Sequence, residues 1–237
     1  MRLDLGRSNE LGCEIFYFKG MTGQMTHPDD HLSTLVRRYP VLDACQAELS
    51  RAVDALISVF ESGKKLLICG NGGSASDSEH IVGELMKGFN LSRPIPVAQA
   101  VRLKEVAGEL GSEIGSRLQL GLPAISLTSQ HALMTAIAND IDGSMIFAQQ
   151  VQGLGSQGDA LLGISTSGNS RNVLNAFVTA KARNMITIAL TGKSGGKVLP
   201  WVDFAVRVPA DTVVEIQELH LPVYHYFCMS LECHFFG

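Results

Sequence analysis

The sequence predicts an α/β protein in which a five-stranded parallel sheet carries helices on both faces. Three observations lead there. Five short apolar runs, KKLLICG, PAISLT, DALLGIST, MITIALTG and DFAVRV, read as strands. Helical patterns fall between and after them, at SEHIVGELMKGF, HALMTAIAND, SRNVLNAFVTAKARN and VVEIQELHLPVYHYFCMSLECHFF, and such alternation implies parallel strands covered on both sides. Glycines and small polar residues then cluster where the runs end, at GNGGS, STSGNS and TGKSGG, the place where ligands bind in sheets of this kind.

Taken in order, residues 1–28 lack clear periodicity and read as a tail, disordered or non-native, ahead of a single domain over 29–237. The domain opens on a helical extension in which Leu42, Cys45, Leu49, Val53, Leu56 and Val59 recur at spacings of three and four. Gly63 stands just past its end, and Pro40 divides it from a shorter helix before it.

Composition narrows the function. A net charge of −4, with no block of five like charges, gives no footprint for nucleic acid or an anionic membrane surface. A small anionic ligand would need local, dipole-based recognition. Cys13, Cys45, Cys69, Cys228 and Cys233 are odd in number and form no CxxC, so they read as reduced and structural. No stretch has the apolar length of a signal peptide core or a membrane span, which makes the cytoplasm the expected location.

The loops after the first and third runs share a logic. Gly70, Gly72 and Gly73 permit positive φ and close approach of backbone N–H groups, and Ser74 and Ser76 place hydroxyls at the start of a helix. Ser165, Thr166, Ser167, Gly168, Asn169 and Ser170 repeat the arrangement more densely, as a phosphate cradle without a lysine. One such loop equally suits an ordinary N-capped turn; two in register favour binding. Neither standard nucleotide loop is present, so no nucleotide cofactor is expected. His80 and Glu84 lie one helical turn apart and share a helix face.

GNGGSASDSEHIVGEL, AIANDIDGSMIFAQQV, GDALLGISTSGNSRNVLNAF, ITIALTGKSGGK and EIQELHLPVYH together resemble the sugar isomerase (SIS) domain family, and within it the phosphoheptose isomerases. The resemblance runs from about residue 33 to the end. It implies a flavodoxin-like doubly wound sheet, a homotetramer with active sites at subunit boundaries, and interconversion of sedoheptulose 7-phosphate with glycero-manno-heptose 7-phosphate. By motif position Glu84 and His225 match the catalytic pair. Asn71, Gly72, Gly73, Asn139, Asp140, Ser165, Thr166, Ser167, Ser170 and Gln217 match substrate-binding positions. His80, Glu84, Gln217 and His225 match residues that hold zinc in some members, although Gln217 and His225 are separated by about 12 Å of straight helix. Pro222, lying between them, could kink that helix, and a neighbouring subunit would also resolve the distance. His131, His220 and His234 have no such support and read as structural.

Non-catalytic SIS proteins that bind a replication initiator, and phosphosugar-sensing regulators, share parts of these motifs. The presence of Glu84 and His225 favours the enzyme. Two departures from the family stand out: Val214 replaces an aspartate, and IPVAQAVRLKEVAGELGSEIGSRLQLGL, residues 95–122, fills a position that is a short connection in related isomerases. Leu103, Val106, Leu110, Ile114 and Leu118 give this insertion one amphipathic stripe, expected to be buried beside the active-site mouth or across a subunit boundary, or else to decorate the surface.

Overall fold

The computed structural model describes residues 28–237; the tail expected over 1–28 falls outside these residues but for its last position, Pro28, which opens the first helix. Helix α1 (Pro28–Arg38) leads through a 3-10 turn (Pro40–Cys45) into α2 (Gln46–Glu61), as Pro40 predicts. Gly63, with φ of 67°, turns the chain out of α2 into β1 (Leu66–Gly70). Helices α3 (Gly73–Met86) and α4 (Val97–Arg117) precede β2 (Ala124–Ser126). The chain continues through α5 (His131–Asp140), α6 (Ile146–Leu154), β3 (Ala160–Ser165), α7 (Arg171–Ala182), β4 (Ile186–Thr191) and β5 (Phe204–Arg207). The last helix, α8 (Val213–Phe236), runs unbroken through Pro222.

All five strands pair in parallel, in the order β2-β1-β3-β4-β5. Strand side chains alternate, so the two faces bury different sets. Leu66 and Ile68 of β1, with Leu162 and Ile164 of β3, pack against α1, α2, α3 and α8. Leu67, Cys69 and Leu161 turn the other way, toward α6 and α7. On that second face Gly163 has no room for a side chain, because a Cβ there would lie 2.3 Å from the Phe177 ring. The strand order reverses at β1 and β3, so the loops after those two strands open side by side into one crevice.

The insertion differs from expectation. Gly108 (φ 59°, ψ −126°) breaks α4 into two arms, and the second folds back on the first. Gly111 packs on the backbone of Leu103 and Gly115 on Ala100, so closely that a Cβ at Gly111 would stand 1.9 Å from the Leu103 carbonyl oxygen. Within the single chain the stripe is largely exposed: Val106, Leu110, Ile114 and Leu118 are 72, 60, 38 and 44% accessible. The reason is local. A glycine at positive φ costs little, and a hairpin closed on two glycines brings backbones together without enclosing its larger side chains. The base of the hairpin is tied to the domain by a bridge between Pro94 and Gln119 and by Gly88 N–H donating to Gln119 Oε1 (2.6 Å).

Candidate active site

At the crevice, Gly72 adopts φ of 57° and starts α3 without a side-chain cap; the Ser74 N–H donates to the Asn71 carbonyl (3.1 Å) and the Ala75 N–H to the Gly72 carbonyl (3.0 Å). Asn71 and Asn172 exchange two amide hydrogen bonds (2.9 and 2.8 Å) and lock the loop after β1 to the start of α7. No motif singled out Asn172, since its partner lies 101 residues away.

The STSGNS loop is drawn together by its own side chains. Ser165 donates to Ser170 (3.2 Å), and the Asn169 N–H donates to Ser167 Oγ (3.2 Å). The loop after β4 closes over it: Gly192 N–H donates to the Thr166 carbonyl (3.0 Å) and Lys197 N–H to Asn169 Oδ1 (3.0 Å). Gly168 and Gly195 approach so closely that a Cβ on Gly168 would lie 1.9 Å from the Gly195 carbonyl oxygen. Between the loops and the start of α8 lies a cavity of about 180 Å³, lined by Thr166, Ser167, Asn169, Lys193, Ser194 and Asp211 among others. Lys193 corrects the lysine-free reading of the cradle. It sits two residues past β4, and only the register of β4 beside β3 brings it to the STSGNS loop.

Helices α3 and α8 pack side by side in the same direction. Gln217 lies over Gly73, whose missing Cβ would be 2.6 Å from Gln217 Nε2, while the His225 and His80 rings are 5.1 Å apart. Glu84 is nearly buried and has both oxygens engaged, Oε1 by His80 Nε2 (3.2 Å) and Oε2 by Lys87 Nζ (2.9 Å). Behind His80, Tyr224 donates to Asp77 (3.2 Å) and stands 3.1 Å from His80 Nδ1. With Tyr224 donating to Asp77, its oxygen accepts from His80 Nδ1–H, and His80 Nε2 presents a lone pair to a carboxylate. Two acceptors face to face need a proton or a cation between them. Burial raises the Asp77 pKa, opposed by Tyr224 and His80, and it raises that of Tyr224 with help from Asp77.

Burial lowers the pKa of His225, and His80 and Arg38 lower it further, against the pull of Glu84. His225 is therefore neutral near pH 7, with one N–H and one lone pair. Its Nε2 is buried and has no hydrogen-bond partner.

The positions matched by resemblance thus separate into groups. His80, Glu84 and His225 come together at the α3–α8 junction; Gln217 stands with Gly73 and Asn71 at the other end of α3. Asn139 and Asp140 are exposed on the last turn of α5, where Asn139 donates to Asp140 (2.8 Å), and neither bonds to the cradle or to α3. The donor types at the junction suit zinc, two imidazoles and a carboxylate with one buried nitrogen unpartnered. Among the described residues, however, no three His, Cys, Asp or Glu side chains stand in a metal-holding group. A larger cleft of about 660 Å³, lined by Ala55, Val59 and Phe204, lies at the opposite ends of the strands, away from all of these residues.

A doubly wound sheet with hydroxyl-lined loops at its switch point defines a ligand-binding α/β protein. The sequence matches the SIS domain family over residues 35–108 and 98–192. It is 41% identical to the phosphoheptose isomerase of Helicobacter pylori (strain P12) over 194 residues, 82% of this chain and 88% of that one. With the phosphoheptose isomerase of Halorhodospira halophila it shares 38% identity over 199 residues, 83% of this chain and 87% of that one. Among solved structures, phosphoheptose isomerase GmhA from Neisseria gonorrhoeae superimposes with a TM-score of 0.66 at 30% identity, covering 86% of this chain and 96% of that one. A phosphoheptose isomerase from Francisella tularensis gives 0.67 at 32%, covering 86 and 95%. The chain belongs to the SIS domain family, and within it to the phosphoheptose isomerases.

Proposed function

We propose that this chain interconverts sedoheptulose 7-phosphate and glycero-manno-heptose 7-phosphate. Aldose and ketose differ by a proton moved between C1 and C2 through an enediol, which needs a base near carbon and a donor near the two oxygens. The observation that carries the reading is the α3–α8 junction, where Glu84 and a neutral His225 share one cluster. Glu84 takes and returns the carbon-bound proton, and His225 shuttles the proton between the oxygens. Lys87 must release Glu84 as the substrate arrives. The phosphate is held by Ser165, Thr166, Ser167, Ser170 and Lys193 at the start of α7, whose dipole favours an anion. Asn71, Gly72 and Gly73 meet the sugar from α3.

Gln217 meets the sugar beside Gly73, and Asn139 and Asp140 complete the site across a subunit boundary in a homotetramer. The exposure of Asn139 and Asp140, together with the apolar Leu133 and Ile141 on and beside the same helix, supports that arrangement. Zinc held by His80, Glu84 and His225 would polarise the substrate oxygens when bound. Elemental analysis after purification without added metal tests this, with activity measured after chelation and zinc return. No helix among the described residues is long and apolar enough to cross a membrane, which accords with a cytoplasmic enzyme.

The deciding experiment incubates the protein with ketose phosphates in deuterated buffer. Deuterium at C2 of an aldose product is expected. Binding of phosphosugar with neither product nor exchange would point instead to a non-catalytic or sensing role.

A further inference from the structure

We propose that the buried pair Arg93 and Glu232 is a positioning device that fixes Glu84 relative to His225. The inference rests on the reading of Glu84 as the proton-moving carboxylate.

Both residues are almost fully buried, Arg93 2% and Glu232 1% accessible. Arg93 Nε and Nη2 lie 2.8 and 2.7 Å from Glu232 Oε1. The rest of the guanidinium fork is spent on backbone: Nη1 donates to the Leu85 carbonyl (2.9 Å) and Nη2 to the carbonyl of Glu84 itself (3.3 Å). Glu232 in turn accepts from the N–H groups of Phe89 (2.8 Å) and Asn90 (2.7 Å). The Arg93 guanidinium lies over the Phe236 ring, 4.5 Å from its centroid.

This arrangement answers a local need. Helix α3 ends at Lys87 in extended backbone, and Gly88 after it does not take the positive φ that would turn the last carbonyls inward, so those carbonyls need donors from elsewhere. Arg93 donates to the Glu84 and Leu85 carbonyls, the second shared with the Leu122 N–H (2.9 Å), and its counterion comes from α8, two turns beyond His225 on the same helix. One ion pair therefore ties the end of α3 that carries Glu84 to the helix that carries His225. A lysine could balance the charge but lacks the planar fork that reaches a carboxylate and two carbonyls together. Burial of a pair does not by itself argue for stability, since apolar replacements of similar volume are often as stable. The geometry points to placement, because a misplacement of about 1 Å at a reacting group costs on the order of a hundredfold in rate.

The test compares Arg93→Lys and the double replacement Arg93→Met with Glu232→Leu against the parent enzyme and Glu84→Gln. Melting temperature, kcat, KM for sedoheptulose 7-phosphate and the pH profile of kcat/KM are read for each. Arg93→Lys should fold, keep KM within about twofold because the cradle lies on other loops, and lose about tenfold or more in kcat. The double variant should melt near the parent and show the same loss, with a displaced pH profile. An inactive Glu84→Gln beside an Arg93→Lys of parental kcat and pH profile overturns this inference alone. Full turnover by Glu84→Gln would sink the proton-transfer reading and this inference with it. If the double variant does not fold, the KM and kcat of Arg93→Lys decide the matter.

Discussion

Two helix pairs in this molecule begin from similar sequence patterns and end differently. At the α3–α8 junction the helices bury Tyr224, Arg93 and Glu232, and their polar groups find partners on the facing helix or in the turn that follows it. In the α4 hairpin the arms meet through Gly111 and Gly115, and the large apolar residues face outward. Periodicity reports that a stripe exists but not what covers it. What covers it depends on the residues that meet across the pair: a ring, a guanidinium and a carboxylate bridge a wide contact, whereas two glycines close a narrow one.

The comparison is broken most directly at the junction. Glu84→Gln and His225→Gln should each lower kcat by about two orders of magnitude or more while the melting temperature stays near the parent's. If either variant kept full turnover, the junction would be packing and not chemistry.

A second test uses pH and the face of α8 that meets β4. His220 on α8 is fully buried beside the backbone of Thr191, neither ring nitrogen has a hydrogen bond of good geometry, and burial lowers its pKa from 6.5 to about 4. The unfolded chain therefore takes up the proton first as pH falls. Stabilisation from the neutral ring is complete above pH 6.5 and is lost as pH falls toward about 4, an effect on the order of 3 kcal/mol. Urea unfolding at several pH values should show this slope in the parent and a shallower one in His220→Leu. Parallel slopes would place the acid-sensitive group elsewhere.

The cradle should respond more mildly. Ser167→Ala should weaken phosphosugar binding several-fold and Lys193→Met about tenfold, as expected for hydrogen bonds to a charged group. Affinity for the unphosphorylated sugar should not change, and titration with both ligands separates the two cases.

The smallest catalytic effect is expected at the hairpin. Gly111→Ala must push the arms apart, since its Cβ would meet the Leu103 carbonyl. Hydrogen exchange over residues 97–117 should quicken while kcat stays within about twofold, given that the hairpin is tied to the domain at its base. A tenfold fall in kcat would make the hairpin part of the site and erase the contrast drawn above.

The strands, the helices packed against them and the glycine-serine loops at the strand ends were legible in the sequence because each follows from neighbours within a few residues. Gly63 ends α2 and Gly72 opens α3 at positive φ, and both could be assigned from local pattern. The resemblance supplied Glu84 and His225, and spacing alone justified pairing His80 with Glu84. The separation of Gln217 from His225 along α8 was also visible, and the structure keeps Gln217 with Gly73.

The tertiary structure decided what distant residues do to one another. Asn71 meets Asn172, Lys193 joins the cradle, Arg93 meets Glu232 across 139 residues of chain, and α4 folds at Gly108. Hydrogen bonds and ion pairs act over about 3 Å, and no periodicity encodes which remote partner arrives within that distance. Propensity and pattern act through the chain, so the sequence by itself determined the elements and their order; contact acts through space, so only the packed sheet and its helices could determine the site.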